Sequence, residues 1–197
     1  MRKSLVLVAL VFLALAPLAR ADGDPASDYL YTQKVFVPFD VAKQPGQLAA
    51  DIEGATKAGF AIRVAVIGSA YDLGSIPSLW RQPRLYARFL GAELAFVYKQ
   101  RLLIVMPNGF GFFWKGHPVT REYATLSKVH IARGNLALLT AAQDAVRALA
   151  ADANVRVQPQ AAPKSTTGRD RAIIAIVALF LIAVALVGRV ALRRRLG

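Results

Sequence analysis

Cysteine is absent from this chain, and histidine occurs only twice in 197 residues. The first absence excludes disulfides, thiolate metal sites and cysteine nucleophiles. The second leaves His117 and His130 as the only imidazoles, and neither stands in a recognisable metal or nucleophile motif. Acidic residues are also scarce, 12 against 25 Lys and Arg. A domain without disulfides must hold together by its apolar core, and roughly 130 residues bury enough surface for that.

Apolar residues are abundant, 55% of the chain, with the excess at the two ends. Arg2 and Lys3 precede an apolar run from Leu5 to Ala19, then Ala19-Arg20-Ala21 before Asp22. These are the charged, apolar and small-residue parts of a signal peptide, 1–21, cut after Ala21. An uncleaved anchor is the other reading, and in both cases the domain beyond Ala21 is exported. From Ala172 to Gly188 the chain carries eleven Ile, Val, Leu or Phe residues. Each favours insertion by roughly 0.3–0.6 kcal/mol near a helix centre. Extended over 171–192, with Arg189 snorkelling to the headgroups, this run matches a bilayer at about 20 residues. A buried soluble helix is the competing reading. Arg193-Arg194-Arg195 outweigh Arg169-Asp170-Arg171, which directs the 193–197 tail to the cytoplasm. The sequence thus predicts a single-pass protein of the cell membrane whose C-terminal helix sits in the lipid bilayer. Residues 153–170, with Pro159, Pro163, Ser165, Thr166, Thr167 and Gly168, read as a linker.

The net charge of +13 resembles a nucleic-acid signature until it is divided by region. Eight positive charges flank the two apolar ends, and residues 22–170 hold 17 basic against 12 acidic residues, spread along the chain. The basicity is therefore assigned to membrane orientation and not to nucleic acid, with a membrane or envelope protein as the expected partner. High Ala, Arg and Leu usage suggests a bacterium.

For the 22–152 domain the pattern predicts an α/β fold, a mixed sheet with packed helices. A helix over Gln47–Ala58 is marked by Leu48, Ile52 and Ala55 and ends at Gly59. Phe60–Ile67 reads as a strand and Leu102–Met106 as a central strand covered on both faces. Between them a helix from Pro83 carries Leu85, Phe89, Ala92 and Phe96 on one face, with Leu90, Leu94 and Val97 widening its apolar surface, making a βαβ unit. Asn108-Gly109 suggests a turn into a return strand through Trp114. Lys34–Val37, stopped by Pro38, suits an edge strand. Asn135 is expected to cap a last helix buried through Leu136, Leu139, Val146 and Leu149.

Strand Ile62–Ile67, helix Tyr86–Val97, strand Leu102–Met106, Gly109-Phe110-Gly111 and a long final helix together resemble the TPM domain of signal-bearing, membrane-anchored bacterial and thylakoid-lumen proteins. Tyr86-Ala87-Arg88-Phe89-Leu90 is similar to that family's Tyr-Ala helix, and Leu102-Leu103-Ile104-Val105 to its strand before a Gly-x-Gly turn. The resemblance covers roughly residues 28–150 and implies a TPM-like α/β sandwich. It also implies acid phosphatase-like activity and divalent-cation binding in some members, and assembly or repair at membranes in others. The chain departs from the family where acidic residues come after the Gly-x-Gly turn, having Phe112, Phe113, Trp114 and Lys115 instead.

Hydrolytic metal chemistry needs several converging carboxylates. The candidates are Asp28, Asp40, Asp72, Glu93, Glu122 and Asp144, well separated in sequence. Asp72 lies beyond the strand ending at Ile67, where open α/β sheets bind ligands, and Asp72-Leu73-Gly74-Ser75 is also an ordinary turn. Gly109-x-Gly111 lacks the third glycine of a dinucleotide loop, and Ser69 lacks the glycine of a nucleophile elbow, which Tyr71 replaces. No cofactor is expected from these motifs, apart from a divalent cation under a phosphatase reading. In the aromatic cluster, strand alternation puts Phe110, Phe112 and Trp114 on one side and Phe113 on the other. Covered on both faces, the cluster is core. With one face open, Phe110, Phe112 and Trp114 beside Lys115 form a partner-binding patch. Two functions fit these features: a non-catalytic binding or assembly module, or a metal-assisted phosphatase.

Overall fold

The computed structural model describes residues 23–38 and 46–157. The leader, Asp22, Asp40, residues 158–170 of the linker, the 171–192 segment and the tail lie outside them. Among the described residues no helix is long and apolar enough to cross a membrane.

A mixed four-stranded sheet in the order β1-β2-β3-β4 organises the domain. The strands are β1 (Val35–Phe36), β2 (Ile62–Val66), β3 (Arg101–Met106) and β4 (Gly109–Phe113). β1, β2 and β3 run parallel, with Val64 opposite both Val35 and Leu103, and β4 returns antiparallel to β3. Parallel neighbours need crossovers. Helix α2 (Gly46–Lys57) supplies the first and α3 (Pro83–Glu93) the second. Helix α1 (Pro25–Thr32) precedes β1, while α4 (Thr120–Leu126) and α5 (Asn135–Asp152) come after β4.

Strand alternation divides the core between the two faces of the sheet. Val64, Val66, Leu103, Val105 and Phe112 meet Leu48 and Ile52 of α2 and Leu138, Ala142 and Val146 of α5. On the other face Ala65, Leu102, Ile104 and Met106 meet Leu30 of α1 and Tyr86 and Leu90 of α3. β3 is buried from Leu102 to Met106, as its unbroken apolar run requires.

Two helix faces differ from the expectation. In α3 the buried residues are Pro83, Tyr86, Ala87, Gly91 and the expected Leu90, whereas Leu85 is 46% exposed and Phe96 94% exposed. Two apolar stripes compete on this helix, and the one containing small residues wins because it lets α3 lie close on β4. A Cβ on Gly91 would come within 2.2 Å of Phe113, and a Cβ on Gly111 within 1.8 Å of the Pro83 carbonyl oxygen. The helix also ends at Glu93, and a 3-10 turn over Leu94–Phe96 carries Phe96 out to solvent. In α5, Asn135 is the first helical residue, with Gly134 at the cap, and Leu138 lies inside where Leu136 was expected. Leu136 is 56% exposed.

Helices α1 and α4 were not expected from the sequence. Asp24 caps α1, its carboxylate accepting from the Ala26 amide at 3.1 Å, and Pro25 presets the first turn. The hairpin loop falls on Pro107 and Asn108, one residue before the expected Asn-Gly. Asn108 Nδ2 donates to the Arg81 carbonyl at 2.6 Å, fastening this loop to the chain entering α3.

Candidate functional site

Among the described residues three carboxylates are buried, and each is committed to a different structural task. Asp72, 5% exposed, accepts at one oxygen from the Gly68 amide at 2.9 Å, the Ser69 amide at 2.8 Å and Ser69 Oγ at 3.2 Å. It thereby closes the turn after β2, and Ser69 serves as its partner in that turn. Asp51, fully buried in α2, takes Arg147 of α5 at 2.7 Å and Gln47 at 3.1 Å, binding the two helices together. Asp24 receives the Tyr86 hydroxyl at 2.8 Å and 2.7 Å on its two oxygens, which ties α1 to α3. Burial pushes the Asp24 carboxyl up to about 6, against the Tyr86 and Ala26 hydrogen bonds that lower it. The same burial, then the Asp24 charge, raises the Tyr86 phenol above its ordinary value.

Of the other candidate carboxylates, Asp144 shares Arg147 with Asp51, and Glu93 and Asp28 lie in electrostatic reach of Asp24. Asp144 stands 3.9 Å from Arg147. Glu122 turns one oxygen inward without a hydrogen bond, in electrostatic reach of Arg101. Glu93 and Asp28 act on Asp24 through charge alone. Among the described residues no group of three or more His, Asp or Glu is placed to share a metal ion. His130 is exposed, and His117 stacks on Trp114 with ring centroids 3.8 Å apart. Gly109 and Gly111 lie inside β4, where Gly111 makes room for α3, so this Gly-x-Gly is a packing device.

The aromatic cluster divides as alternation requires. Phe112, 2% exposed, is core, and it also borders the hollow beside Trp114. Phe110 and Trp114 on the same side remain half-buried, and Phe113 packs on the opposite face. Above them α4 brings Tyr123 to the rim of β4. Its hydroxyl accepts from the Phe112 amide at 2.9 Å and donates to the Phe112 carbonyl at 3.2 Å. The Arg84 guanidinium lies 4.4 Å over the Tyr123 ring, and that of Arg101 lies over Trp114 at 3.9 Å and Phe60 at 4.3 Å.

Around Arg84 three hollows adjoin, of about 380, 440 and 360 Å³. Together they form a groove between the first turns of α3, the rim of β4 and α4. Phe110 and Trp114 line it, as do Arg84, Arg88, His117 and Tyr123. No Asp or Glu lines any of the three hollows. Phe110 and Trp114 were legible as candidates from the sequence, whereas Arg84, Arg88 and Tyr123 were missed. The available signals were the four-residue spacing of the two arginines and the Val119, Tyr123, Leu126 period of a short helix. The chain matches no family model, no curated protein and no solved structure.

Proposed function

We propose that this chain is a membrane-anchored, extracytoplasmic protein of the TPM type whose α/β domain binds or assembles protein partners at the outer face of the cell membrane. The observation that carries this reading is the groove around Arg84, where aromatic and apolar side chains stand beside Arg84 and Arg88. Such a surface combines buried contact area with charge selection, which is what recognition needs. The resemblance to the TPM domain supplies the architecture of the proposal: a signal peptide, a mixed-sheet α/β sandwich, a linker and one C-terminal helix in the lipid bilayer.

The rival reading is a divalent-metal-assisted phosphatase, with Asp72 as its weak candidate ligand. Asp72 already accepts three hydrogen bonds from its own turn. A carboxylate held in this way orders a loop more readily than it coordinates a hard cation. The decisive experiment measures phosphate release from an aryl phosphate by the full chain in detergent, with and without magnesium or manganese. The binding-module reading predicts no cation-dependent release. Turnover that requires the cation and disappears in Asp72→Asn, with thermal unfolding unchanged, would overturn it.

A further inference from the structure

β4 forms one edge of the sheet. Met106 and Gly109 flank the loop of the β3–β4 hairpin, so Met106–Gly109, Ile104–Gly111 and Leu102–Phe113 are the hydrogen-bonded pairs of the ladder. Phe110 and Phe112 therefore turn their amides and carbonyls away from β3, and the Tyr123 hydroxyl on the backbone of Phe112 fits that direction. The tyrosine satisfies the edge at one point. About 7 Å along the strand, at Phe110, the outward amide and carbonyl have no protein partner among the described residues. The groove around Arg84 runs beside both positions.

An unpaired strand edge next to a groove accepts an extended peptide, whose backbone continues the ladder while alternate side chains enter the hollows. Charge selects the peptide. Arg84 and Arg88 stand four residues apart on α3, hence on one face, and neither belongs to an ion pair among the described residues. A second copy of the chain pairing through its own β4 would set these arginines against their equivalents, and like charges oppose such pairing.

We propose that the β4 edge is a strand-addition site for an extended acidic peptide, with the Arg84–Tyr123 stack as a latch that the incoming backbone displaces at Phe112. This rests on the binding-module reading and supplies the chemistry of its partner.

The test uses the full chain in detergent and a fluorescent, end-capped octapeptide of alternating Val and Glu. The Val–Glu peptide binds, and Tyr123→Phe tightens binding about tenfold, because both competing hydrogen bonds to the Phe112 backbone are removed. Arg88→Gln weakens binding about tenfold through loss of one charge-assisted contact. An analogue with N-methyl groups on alternate amides, in the register that faces β4, does not bind, nor does the Val–Lys peptide. Thermal unfolding of each variant confirms that the fold is kept. Equal binding of the N-methylated analogue overturns strand addition, as does binding of inorganic phosphate or phosphatidylglycerol vesicles with the same Arg88 dependence when the peptide fails. Failure of the peptide without phosphatase turnover removes this site and leaves the binding module standing. Cation-dependent turnover removes the module reading itself.

Discussion

Replacing Gly111 with alanine is expected to destabilise the domain by about 3 kcal/mol or prevent its folding, the upper range for an overpacked core position. The added methyl would stand 1.8 Å from the Pro83 carbonyl oxygen and 2.9 Å from the Ala87 Cβ. A flexible side chain could rotate away from such a contact, but a carbonyl in the first turn of α3 cannot move without lifting the helix from the sheet. That movement would open the contact that buries Tyr86, Ala87 and Leu90. Gly91→Ala meets the half-buried ring of Phe113 at 2.2 Å, a side chain and not a carbonyl, so its expected loss is smaller. Chemical denaturation of the two variants beside the wild type measures the order. Equal losses would mean that α3 sits on β4 with more slack than this packing implies.

Stability should also depend on pH in a direction opposite to the common one. The folded Asp24 carboxyl titrates at about 6, above its ordinary 3.8. Between these values the folded state binds more protons than the unfolded one, so stability falls as pH rises through the window and is level above it. A shift of this size corresponds to a loss of about 2–3 kcal/mol. Glu53 and Asp152 act in the opposite sense, lowered by their hydrogen bonds to Lys34 and Arg121. Asp24→Asn isolates the buried group, because the amide oxygen still accepts from Ala26 and Tyr86 but carries no charge to desolvate. The stability difference between variant and wild type should therefore grow in favour of the variant from pH 4 to pH 6.5. The measurement is denaturant unfolding across that range, and a flat difference would contradict the assignment of the burial cost to Asp24.

The central strands were legible in the sequence because burial on both faces leaves an unbroken apolar run, as in Leu102–Met106. The hairpin was legible because a turn signal separates two such segments. Helix α3 was placed correctly, and its buried face only in part, through Leu90 and the following Leu94. Leu85, Phe89 and Phe96 are larger than Ala87 and Gly91, but close approach to β4 rewards the small residues. Helix α1 escaped notice because it is short and its anchor is the bond from Asp24 to Tyr86, 62 residues away. Helix α4 starts at Thr120 without a side-chain cap to mark it. Alternation placed Phe110, Phe112 and Trp114 on one side, and only the tertiary cover shows that Phe112 is buried while its two neighbours stay half-exposed. The groove itself joins α3, β4 and α4, three segments that no local pattern links.

The proposed function requires above all that the α/β domain face away from the cytoplasm on a membrane-held chain. The natural absence of cysteine makes this directly measurable, since any introduced cysteine is the only thiol. Spheroplasts bearing Lys99→Cys or Leu196→Cys in the full chain would be treated with a membrane-impermeant maleimide before and after lysis. The expected result is that the exposed position 99 is labelled in intact spheroplasts, that position 196 is labelled only after lysis, and that both proteins sediment with the membranes. Labelling of position 196 from outside, labelling of position 99 only after lysis, or recovery of the chain in the soluble fraction would contradict this orientation.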